Sequence, residues 1–336
     1  EDDAHVGNWL IERSAADGAR MGELAFSDLH TRMRRAMRPE AAKFAADAGT
    51  RQVEDGARVV ACAPGATSVA LQMPRGNLEI VSPKALVLPA TACALRAKRY
   101  ADAYALASKQ RVDLNLIVDY GWPTFLSDAD AFVADVRSAD AVMELLEALD
   151  DGDVTAPGAA YAELARLYPP PARDASEKDA AAAAPPPDRK DKVQTVGAAI
   201  RRAIEKRGTS SDRWELATLT SYASGENPDL GSALRRVAAA RQKELAGASS
   251  DASSPTSGGV DAAAALKHLL FLVGGKTLYS AALGTYDLSL AYLVAQHAQM
   301  DPGEYVAELQ NLQNMREHER RADIARRLGK YEEAIV

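Results

Sequence analysis

Large apolar and aromatic side chains are scarce in this chain. Aromatic residues fill 6% of its 336 positions, and alanine alone supplies 68 residues of a hydrophobic share of 47%. Such a sequence builds a core of small contacts spread along many helices. Cysteine is nearly absent. Cys62 and Cys93 stand alone, which excludes a disulfide framework and a Cys-rich metal site and leaves reduced cytosolic thiols as the expectation. No run approaches about 18 consecutive apolar residues, so no membrane-spanning helix is expected. A basic excess is lacking too: Lys and Arg number 40 against 47 Asp and Glu, a net charge of −7. That excludes a uniformly basic nucleic-acid binder but allows local patches. The chain opens Glu1-Asp2-Asp3, with neither initiator Met nor the basic and apolar regions of a signal peptide, which suggests a processed chain or a fragment.

What is present is mostly helical punctuation. Two tracts interrupt it: 168–191, with Pro triplets around an alanine run, and 246–259, rich in Ser, Gly and Ala. Both read as a disordered or flexible linker. They divide the chain, at a length that suggests about two domains, into 1–167, 192–245 and 260–336. Residues around Phe26 to Ala46 look helical. The β-branched runs at 58–63 and 67–73, around Pro64-Gly65, predict a hairpin, with β structure confined to about 57–73. Pro74-Arg75-Gly76-Asn77 then ends the strand, with Gly76 expected in a conformation other residues avoid or at a close approach. Ser82 reads as an N-cap, with Pro83 at the first position of a helix running to about Lys109. Asp113 opens a short helix, and Ser127 with Asp130 predicts a capping box for one helix to about Leu149. Further helices are expected at 192–207, 212–224, 229–245, 261–273, 286–299 and 302–316, with a last pair near the end. The helix at 302 opens with Asp301, Pro302 and Glu304 as cap, first residue and third. Lys98-Arg99-Tyr100 with Ala103, echoed by Lys330-Tyr331 with Ala334, fits helix-pair repeats. The fold class read from this pattern is mainly α, an α-solenoid of TPR-like repeats with a short β-hairpin before it.

Catalytic constellations are missing. No phosphate loop, dinucleotide fingerprint, zinc-protease motif or nucleophile elbow occurs, and His5, His30, His268, His297 and His318 are scattered. His268, beside an apolar run, reads as a hydrogen-bonded helix histidine. Gly274-Gly275 reads as a helix C-cap rather than a phosphate loop. Nine acidic residues between Asp128 and Asp153 face Arg137 alone, and their alternation with apolar positions reads as a solvated helix face, or one meeting a basic partner. Basic residues cluster at Arg32 to Lys43, at Arg201, Arg202, Lys206 and Arg207, and at Arg316 to Lys330, including Arg320 and Arg321. Helical stripes of this kind can hold a phosphate backbone, so Arg201, Arg202, Arg320 and Arg321 are candidate phosphate contacts. No aromatic interleaving accompanies them, which argues against base stacking.

Three blocks carry a resemblance. LQMPRGNLEIVSPKALVL (71–88), RVDLNLIVDYGWPTFL (111–126) and the stretch 265–309, containing ALGTYD and DPGEY, closely resemble the IKAP family, the largest subunit of the Elongator complex. The motif residues are Pro74, Arg75, Gly76 and Asn77 in the first block, and Leu283, Gly284, Tyr286 and Asp287 in the third. The chain departs from the family pattern at Gly274-Gly275, where the family has Asp-Val, and at Val306-Ala307, where it has Pro-Phe. The resemblance implies that 1–76 is the end of a second WD40 β-propeller, incomplete here, and that 77–167, 192–245 and 260–336 are helical-repeat segments. It implies a non-catalytic scaffold supporting tRNA wobble-uridine modification, with no cofactor of its own. The chemistry belongs to a separate catalytic subunit that uses acetyl-CoA, S-adenosylmethionine and an iron–sulfur cluster. Implied partners are that catalytic subunit and a WD40 subunit, in the cytoplasm and also the nucleus; the family's homodimerisation region is absent. A peptide-binding adaptor and a direct tRNA binder are the alternatives.

Overall fold

The computed structural model describes residues 54, 56–62, 66–170, 191–208, 212–247 and 261–330. The helix expected at Phe26 to Ala46, the Pro64-Gly65 turn, the Arg32 to Lys43 cluster, the Tyr331/Ala334 echo and most of both linker tracts lie outside them. Three strands and fifteen helices make up the described structure. The chain forms two compact units, Glu1–Val136 with Gly152–Pro187, and Arg137–Asp151 with Asp188–Val336.

In the first unit β1 (Arg58–Ala61), β2 (Val69–Gln72) and β3 (Leu78–Val81) form an antiparallel sheet in sequential order. The third strand corrects the expectation that β structure ends near 73. Pro74-Arg75-Gly76-Asn77 does not stop the sheet but reverses it: the Gly76 N–H donates to Met73 O at 2.8 Å, and the Met73 N–H to Asn77 O at 2.8 Å. Gly76 lies at φ 90°, with nothing within 4 Å of where a Cβ would stand. The glycine therefore serves the turn and not a close approach. Ala57, Val69, Leu71, Met73 and Val81 bury one face, while Val60, Leu78 and Ile80 on the chain's other alternation are exposed.

Helices α1 (Lys84–Arg96) and α2 (Tyr100–Gln110) pack against each other and replace the single helix expected to Lys109. Pro83 is itself the N-cap, so Ser82 is one residue too early. The break lies at Lys98, φ 54°. There the Arg99 N–H reaches back five residues to Ala94 O at 2.9 Å. The same closure ends α2 (Val112 to Ala107 O), α13 (Leu288–His297; Met300 to Ala295 O) and α15 (Glu317–Arg327; Lys330 to Ala325 O). The residue before each donor takes positive φ: Lys98, Arg111, Gln299 and Gly329. This is the Schellman closure. Three of the four are made without glycine and so leave no punctuation to read.

Short helices follow: α3 (Asn115–Asp119), α4 (Trp122–Ser127) and α5 (Ala129–Val136). The capping box at Ser127 does not form. Its hydroxyl donates back to Thr124 O, and the expected long helix breaks at Arg137, φ 53°. Ser138 caps the next helix instead, its hydroxyl accepting from Ala141 N at 3.2 Å. Tyr100, Phe125 and Phe132 form an aromatic cluster with centroids 5.3–6.0 Å apart. Of the nine acidic residues at 128–153, Asp130, Asp135, Asp140, Glu144, Glu147 and Asp150 are exposed, as a solvated face requires, and some acids of this region also hold the fold together. Asp128 takes the Tyr100 hydroxyl and Lys98, Asp135 accepts the Ala101 N–H, and Asp119 holds Val154 N, ahead of α7 (Ala162–Leu167).

The second unit contains α6 (Ala139–Ala148), α8 (Lys192–Arg207), α9 (Asp212–Ala223), α10 (Leu230–Gly247), α11 (Ala262–Val273), α12 (Gly275–Leu283), α13, α14 (Pro302–Asn314) and α15. Helix α12 was not expected; Gly274, at φ 79°, ends α11 and starts α12. At the centre lies α9, packed against α6, α8, α10 and α11. Thr218, Thr220 and Ser221 on it are buried, their hydroxyls donating to carbonyls three or four residues back. Polar side chains that satisfy themselves locally can be buried at little cost. Gly197 of α8 meets α9 closely: a Cβ there would stand 2.8 Å from Ser221 O.

Two outcomes follow from these glycines. Gly197→Ala should lower the unit's stability by about 1–3 kcal/mol, since the obstacle is backbone and cannot rotate away. Thermal unfolding with retained helical circular dichroism reads this out. Gly76→Ala should cost about 1–2 kcal/mol through the left-handed backbone alone, with Gly76→Asn closer to wild type. Equal melting temperatures for all three would refute the account of the turn.

Candidate functional site

The ALGTYD segment forms a tight corner in the second unit. Helix α12 ends as Leu283 is buried and Gly284 passes the α15 end, where a Cβ would lie 3.2 Å from Leu328 Cδ1. The Thr285 hydroxyl donates to Ala282 O at 2.7 Å, and Tyr286 turns the chain at φ 61°. Asp287 then caps α13, accepting from Ser289 N (2.9 Å), Leu290 N (3.2 Å) and Ser289 Oγ (2.6 Å). Burial pushes the Asp287 carboxyl up, but these donors outweigh it and hold the group below the usual carboxylate range.

Beside this corner opens a groove of about 900 Å³. Tyr286, Asp287 and Tyr292 line one side, Gln310 and Gln313 of α14 another, and Arg241, Arg320 and Arg321 contribute cations. Two groups singled out separately in the sequence, the ALGTYD motif and the Arg320/Arg321 pair, thus meet in one place. Arg321 ion-pairs with Glu317 at 2.9 Å, its guanidinium 5.7 Å from the Tyr286 ring centre. The Arg320 Nε is buried with no hydrogen-bond partner among the described residues. Further along that cluster Arg326 and Arg327 both hold Asp323, and Arg327 also binds Glu308, which accepts the Tyr279 hydroxyl at 2.8 Å. Reading the sequence missed Arg241, Tyr292, Gln310 and Gln313, which come from three helices. Only the i, i+3 spacing of the two glutamines hinted at a shared face.

Arg201 and Arg202 do not line this groove. Arg201 Nη1 donates to Ser221 O (2.8 Å) and Ser221 Oγ (3.2 Å), and its guanidinium lies 4.0 Å over the Tyr222 ring. Burial holds that guanidinium below its usual range. It locks α8 onto α9. Arg202, its neighbour, is exposed and bonds Ala198 O of its own helix. Pro74, Arg75, Gly76 and Asn77 form the exposed hairpin of the other unit. His268 lies 2.8 Å from Thr220 Oγ1, and burial holds its imidazole below the ordinary value. Among the described residues no His, Cys, Asp or Glu cluster could hold a metal ion, and no helix is long and apolar enough to cross a membrane.

The His268 shift has a sign. A base with a folded pKa below its unfolded value of about 6.5 binds protons more readily when unfolded. Its contribution is complete above about 6.5 and is lost as pH falls through that value towards the folded pKa. Melting temperature should therefore fall between about pH 7.5 and about pH 5.5, less steeply in His268→Gln. Identical slopes would refute the assignment.

Comparison with known proteins agrees with this geometry. Residues 84–312 match the family model described as the ELP1 alpha-solenoid. The chain is similar to Elongator complex protein 1 of Arabidopsis thaliana, 36% identical over 284 residues, 84% of this chain and 20% of the relative. It is 34% identical to that of Mus musculus over 285 residues, 85% of this chain and 19% of the relative. For that of Saccharomyces cerevisiae identity is 28% over 293 residues, 86% of this chain and 20% of the relative. The chain spans about a fifth of the length of these relatives.

Proposed function

The chain belongs to the Elongator complex protein 1 family, and from that membership we propose that it is a non-catalytic scaffold segment of the Elongator complex. It holds helices in fixed register so that the catalytic subunit and a WD40 subunit dock, and so supports modification of the tRNA wobble uridine. The observation that carries this reading is the family match at 84–312, which runs through the helices of both units. The sheet at 58–81, with Val60, Leu78 and Ile80 exposed on one face, supports reading it as the end of a larger β domain of the propeller type. Cytoplasmic residence, with a nuclear share, belongs to the same reading.

Direct tRNA binding ranks lower. Arg201 is committed to Ser221 and Tyr222, and Arg321, Arg326 and Arg327 to carboxylates. A phosphate backbone needs a run of cations available together.

Leu283→Ala tests the scaffold. Leu283 is buried in the core, and its truncation should cost about 2–5 kcal/mol. Co-purification with the other Elongator subunits and wobble-uridine modification in cells should both fall, while exposed Arg202→Glu leaves both unchanged. Normal assembly and modification despite an unfolded Leu283→Ala chain would overturn the scaffold role. Loss of modification in Arg202→Glu with assembly intact would replace it by direct RNA contact.

A further inference from the structure

We propose that the groove beside the ALGTYD corner binds an acidic peptide segment, with a carboxylate seated on Arg320. The scaffold reading supplies the biological source of that peptide, but the binding chemistry stands on the groove alone.

Charge is the first argument. The side chains of Arg320 and Arg241 have no hydrogen-bond or ion-pair partner among the described residues, and the Arg320 Nε is buried. A guanidinium in that position is a forked donor needing an acceptor, and a carboxylate matches its geometry in a bidentate pair. The nearby acids are paired with other groups. Asp287 is occupied by Ser289 and Leu290, Asp323 by Arg326 and Arg327, and Glu317 by Arg321. Each of these acids already has an ion-pair or hydrogen-bond partner, although Asp323 Oδ2, 2.7 Å from Arg327, is buried without a hydrogen bond as the Arg320 Nε is.

The remaining lining suits a peptide. Gln310 and Gln313 lie one turn apart on α14, exposed, each offering an amide donor and acceptor of the kind an extended backbone pairs with. Tyr292, 47% exposed and held edge-on by Tyr305 at 5.7 Å, presents an aromatic face for an apolar side chain beside the acid. RNA fits less well. Two unpaired arginines do not make a phosphate track, and the other arginines of α15 are neutralised by carboxylates.

The test is fluorescence anisotropy on the whole 336-residue chain with a labelled short peptide carrying two glutamates around one leucine. Its twin has glutamine for each glutamate, and a short oligouridylate is the third probe. The acidic peptide should bind about tenfold or more tightly than its twin, and Arg320→Gln should weaken it about tenfold with Arg320→Lys between. Because Arg320 is partly buried, Arg241→Glu is the second variant. It is exposed, should leave melting unchanged, and should weaken the acidic peptide about threefold or more. Equal affinity for the two peptides, no change in Arg241→Glu, or tighter binding of oligouridylate than of the acidic peptide would overturn the proposal. Peptide binding lost in Arg320→Gln while subunits still co-purify would support the groove and send the scaffold reading to another surface. Absence of peptide binding with assembly sensitive to Leu283→Ala would overturn the groove and leave the scaffold reading standing.

Discussion

The second unit depends on a close approach between two helices. Gly197 on α8 lets the backbone of α9 come near enough that a methyl group would not fit beside Ser221 O. Arg201 then reaches one turn further to hold the same carbonyl and hydroxyl. With that contact made, α9 is enclosed by α6, α8, α10 and α11 and can carry Thr218, Thr220 and Ser221 in the interior. A larger side chain at 197 would separate α9 from α8, and with it the register of helices that leads to the ALGTYD corner. The alanine-rich composition serves the same end, because small side chains allow many short helices to pack closely.

Ion pairing decides which arginines remain available. Basic clusters in the sequence look alike, yet the fold assigns them different work. Arg201 is a lock between helices, Arg236 is held by Glu205 and Glu215, and Arg326 and Arg327 are tied to Asp323. Arg320 is the exception on α15, and it lies where the ALGTYD corner, α10 and α14 converge. A positive patch counted from sequence would treat all of them as a surface for phosphate. Partner by partner, the same residues describe packed helices with a polar groove beside the ALGTYD corner.

Much of the fold was legible because it depends on local rules. Asp301 before Pro302 caps its helix as the residue types require. The helix ends at Lys98 and Arg137 were not legible, since residues without any glycine preference take the left-handed conformation there. They do so where packing on both sides fixes the turn. The strand at Leu78–Val81 was hidden for a related reason: a Pro-Arg-Gly-Asn tetrad reads equally as a stop or as a reversal, and the choice falls to the cross-strand pairing of Gln72 with Leu78. The two halves of the candidate groove were each visible as motifs, but nothing in their spacing joined Tyr286 to Arg320.

By itself, then, the amino-acid sequence determined the helical class, the Asp301 cap, the Gly274 helix end and the family resemblance, because each rests on residues adjacent along the chain. Tertiary structure alone decided which charges are spent and which are left. Asp128, Asp135 and Asp151 became partners for Lys98, Ala101 N and Val193 N, and Arg320 remained beside Gln310, Gln313 and Tyr292. The reason is physical: a charge is neutralised by whatever group lies within hydrogen-bond reach. For residues tens of positions apart, only the packing of helices sets that reach.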